Sequence, residues 1–69
     1  MTSITIGTIN KSESAEVRVT TSNYKGRSVV DVRVWYIPEG SQEYTPSRKG
    51  ITIDIGKVKD LIHILNRVL

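Results

Sequence analysis

Arginine and tryptophan side chains recur at every second position in two stretches of the sequence. Arg18 lies between two valines, and Arg33 and Trp35 flank a third. Because successive side chains of an extended strand project to opposite faces, residues spaced by two share one face. Arginine can contact a backbone phosphate, and an indole ring offers a flat surface for an unstacked base. The pattern therefore favours a sheet surface that binds single-stranded nucleic acid, whose bases are free to stack.

The same residues also have ordinary structural explanations. Trp35 would suit the partly buried rim of a sheet, and Arg33 would pair with Asp31 two positions away. Such ion pairs are common and contribute little free energy. Lys25 and Arg27 flank a glycine and would suit a solvated hairpin tip. The net charge of +3 fits a polyanionic partner without requiring one.

Residues for catalysis or metal binding are sparse. The sequence has no cysteine, which excludes disulfides and thiolate metal sites, and its single histidine, His63, excludes a multi-histidine site. Its carboxylates are scattered over different segments, and it contains no glycine-rich phosphate loop. We therefore predict no catalytic residue, no metal site and no cofactor, and we do not expect an enzyme.

Four segments of the chain have the composition and alternation of β-strands. We predict these strands over Ile4–Ile9, Ala15–Ser22, Arg27–Ile37 and Arg48–Asp54. Turn-forming residues separate them, with Gly26 supplying a positive φ in the second hairpin. A loop over Ser41–Ser47 carries Tyr44 and Pro46 and precedes the fourth strand.

The last segment changes to helical spacing, with apolar residues three and four positions apart. Asp54 is the predicted N-cap of this helix. Ile64 lies off the main apolar stripe, so we expect the helix to contact both its own sheet and a second subunit. The predicted dimer interface consists of Leu61, Ile62, Ile64, Leu65, Val68 and Leu69.

Four strands followed by one helix predict an α+β fold, in the order β-β-β-β-α, with an antiparallel sheet. With 69 residues there is room for one domain, residues 1–69. A domain of this size buries only about 60% of the surface that its unfolded chain exposes. Without a disulfide or metal, a second subunit is the expected source of stability, and we predict a homodimer.

Several short motifs, in this order, resemble the positive-cofactor-four family of transcriptional coactivators and their prokaryotic and phage relatives. They are Tyr24-Lys-Gly-Arg, then Asp31-Val-Arg, then Trp35-Tyr, then Pro38-Glu-Gly, then Arg48-Lys-Gly-Ile. The resemblance covers roughly residues 17–65. It implies a curved four-stranded antiparallel sheet followed by a helix, a homodimer, and binding of single-stranded DNA along antiparallel β-ridges.

The resemblance also implies a set of site residues. By position they include the loop aromatic Tyr24, the strand arginine Arg33, and the lysine of the fourth-strand motif, Lys49, with Arg48 beside it. Lys25 and Arg27 match the basic residues around the glycine. The stacking aromatic is Tyr36 when counted forward from Arg33 and Trp35 when counted back from the Pro-Glu-Gly turn. Strand alternation favours Trp35, unless a β-bulge intervenes.

The sequence departs from the family pattern in the loop from Gly40 to Arg48, which is longer, and at Ser47, which replaces a glycine. It also lacks the acidic, serine-rich N-terminal extension of the eukaryotic coactivators, so it looks more like a bacterial, archaeal or phage relative. RNA or melted duplex are alternative ligands, and a dimeric protein-interaction scaffold is the alternative function. Replication, recombination or transcription proteins are expected partners.

The N-terminal sequence does not resemble a signal peptide, and no apolar stretch approaches the roughly 20 residues that span a bilayer. We therefore expect no membrane association and an intracellular protein. The compartment would be the cytoplasm or nucleoid in a prokaryote or phage-infected cell, and the nucleus in a eukaryote.

Overall fold

The computed structural model describes residues 3–69, which form four strands followed by a short helical segment. The strands are β1 (Ile4–Ser12), β2 (Ala15–Tyr24), β3 (Arg27–Tyr36) and β4 (Thr45–Asp54). A 3₁₀ turn (Ile55–Lys57), the helix α1 (Val58–Leu65) and a second 3₁₀ turn (Asn66–Val68) complete the chain. The predicted α+β class and element order are confirmed.

The four strands form one open, curved sheet in sequence order, and each pairs antiparallel with the next. Three of the strands are longer than their sequence patterns indicated, whereas β3 ends at Tyr36, one residue before the predicted end at Ile37. β1 continues to Ser12, β2 continues to Tyr24, and β4 begins at Thr45. The predicted strands were too short at these ends because polar residues are typical of turns. In this sheet, cross-strand hydrogen bonds keep those polar residues in extended conformation.

The β2–β3 hairpin turns over only two residues, Lys25 and Gly26. Both have positive φ, +51° and +79°, as a two-residue type I′ turn requires. Tyr24 and Arg27 pair across this turn, so the loop predicted over residues 23–26 contains only two residues, Lys25 and Gly26. The tight turn fixes the register of the whole hairpin.

Antiparallel pairing divides the sheet into two chemically different faces. Cross-strand partners lie on the same face, and the register of β2 with β3 has no shift over its length. One side, the apolar face, carries Val17, Val19, Val30, Val32, Val34, Ile51 and Ile53. The other side, the polar face, carries Glu16, Arg18, Thr20, Asp31, Arg33, Trp35 and Thr52.

One irregularity interrupts the pairing of β3 with β4. Trp35 pairs with Pro46 and Arg33 pairs with Gly50, so three residues of β4 lie opposite Val34 alone. We call these three residues, Ser47–Lys49, the β4 bulge. Because the extra residues belong to β4, the alternation along β3 is unchanged, and Trp35 remains on the face of Arg33.

The helix adds little to the burial of the sheet. It makes only sparse contacts with the strands, and Val58 and Leu61 are its half-buried residues. Among residues 3–69, only Val30 and Thr20 are buried. Asp54 lies at the N-cap position of the first 3₁₀ turn, as predicted, but its side chain makes no cap hydrogen bond and instead pairs with Arg27 of β3. The part of the chain that the structure describes contains no helix that could span a membrane.

Gly50 is the position where the fold has no room for a side chain. A Cβ there would lie 2.7 Å from the Cβ of Arg33 and 2.7 Å from the carbonyl oxygen of Val32. We expect Gly50→Ala to lower the free energy of unfolding by about 1–3 kcal/mol, because backbone must shift to accept the methyl group. Urea unfolding measures this change.

Gly56→Ala is the matched control, because among residues 3–69 no heavy atom outside its two chain neighbours and its own helical turn lies within 4 Å of its Cβ position. That variant should be as stable as the parent or slightly more so. Equal stability of the two variants would show that the close approach at Gly50 is not a constraint on the fold.

Candidate nucleic-acid interface

The polar face forms the floor of an open groove of about 560 Å³. Thr20, Asp31 and Arg33 line its centre, and Trp35 with Pro46 closes one end. The groove is therefore built from the central strands β2 and β3 and the adjoining part of β4. Its floor mixes charged groups with an aromatic wall, as a surface for a charged, planar ligand requires.

An ion pair at the centre of the groove joins neighbouring residues of β3. Arg33 donates from Nε to Asp31 Oδ2 at 3.0 Å and from Nη2 to Asp31 Oδ1 at 2.8 Å. Thr52 of β4 donates its hydroxyl to the same Oδ1 at 2.7 Å. The pairing of Arg33 with Asp31, one of the two explanations open from the sequence, is present and two-pronged.

This network sets the protonation of both groups. Burial raises the pKa of Asp31, but the hydrogen bonds from Arg33 and Thr52 and the charge of Arg33 outweigh burial. The pKa of Asp31 consequently lies below its ordinary value of 3.8. The hydrogen bonds to Asp31 raise the pKa of Arg33, which stays charged at every physiological pH.

A second arginine lies directly opposite the first and is held differently. Arg18 pairs across the strands with Arg33, and its Nε donates to Glu16 at 2.9 Å. Its guanidinium lies 4.1 Å from the ring centroid of Trp35 and 5.5 Å from that of Tyr44. Each arginine thus has its own carboxylate, which offsets the repulsion between like charges placed side by side.

Trp35 is half-buried, and Arg18 occupies one of its ring faces. Its indole Nε1 is buried without a hydrogen-bond partner. Trp35 also lines the groove together with Pro46. A base can therefore reach this ring only from the groove side, or by displacing Arg18.

The β2–β3 hairpin brings a second aromatic and two further cations to the opposite end of the sheet. Tyr24 is 51% exposed, and the Lys25 ammonium lies 5.3 Å from its ring centroid. Arg27 pairs with Asp54 of β4. Arg27 and Trp35 are eight positions apart along β3, which corresponds to roughly 26 Å of extended strand.

The structure brings some of the predicted site residues together and separates others. Arg18, Arg33 and Trp35 share the polar face. Arg48 and Lys49 lie exposed in the β4 bulge, beside that face. Tyr36 pairs with Ala15 and Thr45 on the other side of the sheet and is 41% exposed.

Sequence reasoning missed four residues that organise this surface: Glu16, Tyr44, Ser47 and Thr52. Glu16 and Thr52 continue the alternation of Arg18 and Arg33, so strand period could have found them. Tyr44 and Ser47 gave no such signal, because their positions depend on a loop and on the β4 bulge. Within residues 3–69, no group of three or more acidic or histidine side chains is placed to hold a metal ion.

The fold and this surface define a small sheet-and-helix module whose groove is lined by a paired arginine and by aromatic side chains. The family model for Transcriptional Coactivator p15 (PC4) matches residues 11–64, most of the chain. The chain belongs to the PC4 family. This family is DNA-binding and non-catalytic, which gives the chain a nucleic-acid-related function.

Solved structures of PC4 homologues have the same fold. A PC4 homologue from Burkholderia pseudomallei is 28% identical, with a TM-score of 0.88 over 97% of both chains. A bacteriophage T5 homologue, described as implicated in recombination-dependent DNA replication, is 21% identical. It has a TM-score of 0.72 over 99% of this chain and 75% of its own. At that identity the phage protein shows the shared fold alone.

A curated relative is the candidate RNA polymerase II transcriptional coactivator of Caenorhabditis elegans. It is 44% identical over 46 residues, which span 62% of this chain and 37% of the nematode protein. The chain therefore covers well under half of the length of that relative.

The lowered pKa of Asp31 predicts how pH changes stability. A carboxyl whose pKa is depressed by folding stabilises the fold above its unfolded pKa and loses that contribution as pH falls through its folded pKa. Asp31→Asn should therefore be less stable than the parent at neutral pH, and the difference should shrink as pH falls from 3.8 downward. Urea unfolding between pH 7 and about pH 2 measures this difference. A difference that stayed constant over that range would show that the charge of Asp31 does not stabilise the fold.

Proposed function

We propose that the chain binds single-stranded DNA with little sequence preference, through its polar face and the cations at both ends of that face. The observation that carries the proposal is the groove itself, where arginines and an indole line one face of a sheet. Cations follow a phosphate backbone, and aromatic rings accept any unstacked base. Such a surface favours single strands over duplex, whose bases are already stacked.

The ion pairs within the chain separate the cations into two groups. Arg18, Arg27 and Arg33 each pair with a carboxylate of the same sheet. Within residues 3–69, Lys25, Arg48 and Lys49 are exposed and form no ion pair. We assign the direct phosphate contacts to Lys25, Arg48 and Lys49, since their charges are available without breaking an internal interaction.

Three aromatic side chains are candidates for base stacking. Tyr24 is the most exposed of them and lies beside the Lys25 cation. Trp35 presents its groove side, and Tyr36 lies at the edge of the opposite face. We place stacking at Tyr24 and Trp35, because both share the polar face with the arginines.

The apolar surface supports a homodimer as the working form. Ile51 of the sheet and Ile62, Ile64 and Leu65 of α1 are each more than half exposed. Exposed apolar area on this scale marks a protein interface in a small domain. We propose that a second copy covers it, so that two polar faces act together as paired ridges.

The proposed role is to protect or present single strands in transcription, replication, recombination or repair, inside the cell and together with the proteins of those processes. RNA is the alternative ligand for the same groove, because contacts to phosphate and base faces distinguish the sugar only locally. A protein-interaction scaffold is the alternative function, and the exposed apolar residues of α1 favour it.

The binding proposal predicts selectivity for single strands and a strong salt dependence. Fluorescence anisotropy would follow titration of a labelled strand of about 20 nucleotides, longer than the ~4–16 that a small single-strand-binding fold covers. Affinity should fall steeply between about 50 and 200 mM salt, because phosphate contacts release counterions. Matching duplex should bind much more weakly, and a matching RNA strand tests the alternative ligand.

Equal binding to single strand and duplex would indicate a nonspecific basic surface. No binding to any of the three would favour the scaffold. Lys49→Ala should lower the salt slope by about 0.7 for one lost phosphate contact. Lys59→Ala removes the same charge from α1, outside the proposed groove, and should leave the slope unchanged.

The dimer proposal predicts a sedimenting mass of about twice 7.7 kDa at micromolar concentration. Ile64→Asp places a charge on the exposed side of α1 and should shift the mass toward one chain, because burying an unpaired carboxylate is costly. Lys59→Ala again serves as control and should leave the mass unchanged. A compact, stable monomer of the parent protein would contradict the paired-ridge arrangement.

The stacking proposal separates the aromatics by substitution. Tyr24→Ala and Trp35→Ala should each weaken binding by about 1–3 kcal/mol if their rings stack bases. Tyr36→Ala should have little effect on affinity, because its side chain lies on the other face. Urea unfolding of each variant separates a loss of stability from a loss of binding. If Tyr36→Ala loses affinity while Trp35→Ala loses only stability, the stacking aromatic is Tyr36 and not Trp35.

A further inference from the structure

All three nitrogens of the Arg33 guanidinium donate hydrogen bonds within the protein itself. Two of its nitrogens donate to Asp31, and Nη1 donates to the backbone carbonyl oxygen of Ser47 at 3.0 Å. Arginine grips a phosphate best with two parallel N–H donors. In Arg33 the Nε–Nη2 pair already binds a carboxylate in that way, and Nη1 donates to a carbonyl oxygen, so a phosphate would have to compete with Asp31 for the Nε–Nη2 pair.

The Nη1 atom of Arg33 donates to the β4 bulge. Ser47, which accepts this hydrogen bond, is itself fixed at two further points. Its hydroxyl donates to the carbonyl oxygen of Val34 at 2.7 Å and accepts from the backbone N–H of Lys49 at 3.1 Å. Gly50 ends the bulge at the position where β3 approaches too closely for any Cβ. The side chains of Arg33 and Ser47 therefore hold the β4 bulge against β3.

Arg48 and Lys49, two of the three free cations of the proposed interface, lie in this bulge. We infer that Arg33 is a positioning residue, which acts through Ser47 to hold Arg48 and Lys49 against the DNA backbone. This inference rests on the proposed function and revises the part of Arg33 in it. Asp31 takes part in this positioning because it holds the guanidinium in place, and Thr52 takes part because its hydroxyl donates to the Asp31 carboxylate.

Asp31→Asn distinguishes this positioning role from direct phosphate contact by Arg33, because the two roles predict opposite changes in DNA affinity. If Arg33 contacted DNA directly, Asp31 would compete with phosphate and repel it, and Asp31→Asn would strengthen binding. If Arg33 positions the bulge, Asp31→Asn weakens binding although it removes a negative charge from a surface that binds a polyanion. General electrostatics alone cannot produce that result.

The single variants in this test keep every positive charge, and a double variant serves as the reference for loss of two cations. Arg33→Lys retains the charge but cannot donate to Asp31 and Ser47 together, and Ser47→Ala removes only the hydroxyl. Single-strand affinity is measured at several salt concentrations for the parent, both variants, Asp31→Asn and the double variant Arg48→Ala/Lys49→Ala. Arg33→Lys and Ser47→Ala are also introduced into the double variant, and urea unfolding measures how stable each protein is.

The inference predicts that Arg33→Lys, Ser47→Ala and Asp31→Asn each lower the salt slope toward that of the double variant, by up to about 1.4 for two lost contacts. In the double variant, Arg33→Lys and Ser47→Ala should have no further effect, because the residues they position are gone. A purely structural role would lower the free energy of unfolding and leave the slope of the folded protein unchanged.

Parent-like binding by Arg33→Lys together with tighter binding by Asp31→Asn would overturn the inference and leave the proposed function intact. Failure of the parent protein to bind single strands would overturn the proposed function itself. If Arg33→Lys does not fold, Asp31→Asn carries the decision, because it weakens the hold on the Arg33 guanidinium and keeps every positive charge.

Discussion

The unshifted pairing of β2 with β3 is the constraint on which the rest of the structure depends. Ten residue pairs run from Ala15–Tyr36 to Tyr24–Arg27 without a bulge, fixed at one end by the two-residue turn. Since side chains alternate along a strand, this register sends the valines to one face and the arginines and Trp35 to the other. A slip of one residue would exchange the two surfaces and abolish both the groove and the apolar face.

Because the pairing gathers arginines side by side, the polar face needs carboxylates to hold them. Glu16 pairs with Arg18, and Asp31 pairs with Arg33. These carboxylates neutralise positive charge that would otherwise attract a polyanion. The cations left for a ligand are Lys25 at the hairpin and Arg48 and Lys49 in the β4 bulge, which form no ion pair with any carboxylate of residues 3–69. In the proposed function, the central arginines shape the groove and the peripheral cations contact the DNA. Few of residues 3–69 are buried, and this is why we propose that a second copy covers the apolar surface.

Strand alternation was sufficient to predict the fold class, the four strands and the shared face of Arg18, Arg33 and Trp35. The ends of the strands were wrong by up to three residues, because Asn23 and Tyr24 look like turn residues and yet pair with β3. The side chain of Asp54 was expected to make a cap hydrogen bond because local sequence does not reveal Arg27, which lies 27 positions away and pairs with it. The β4 bulge, the stacking of Arg18 on Trp35 and the attachment of Ser47 depend on contacts between strands that periodicity does not encode.

The central claim is that single-stranded DNA lies on the polar face and is held by the cations at its ends. Titration of the isotope-labelled protein with unlabelled single strand, followed by backbone amide chemical shifts, tests this claim most directly. The account predicts that the shifts change at Lys25, at Arg48 and Lys49 of the β4 bulge, and along the groove, while the apolar residues of α1 stay unchanged. Changes confined to α1, or to the apolar face of the sheet, would contradict it.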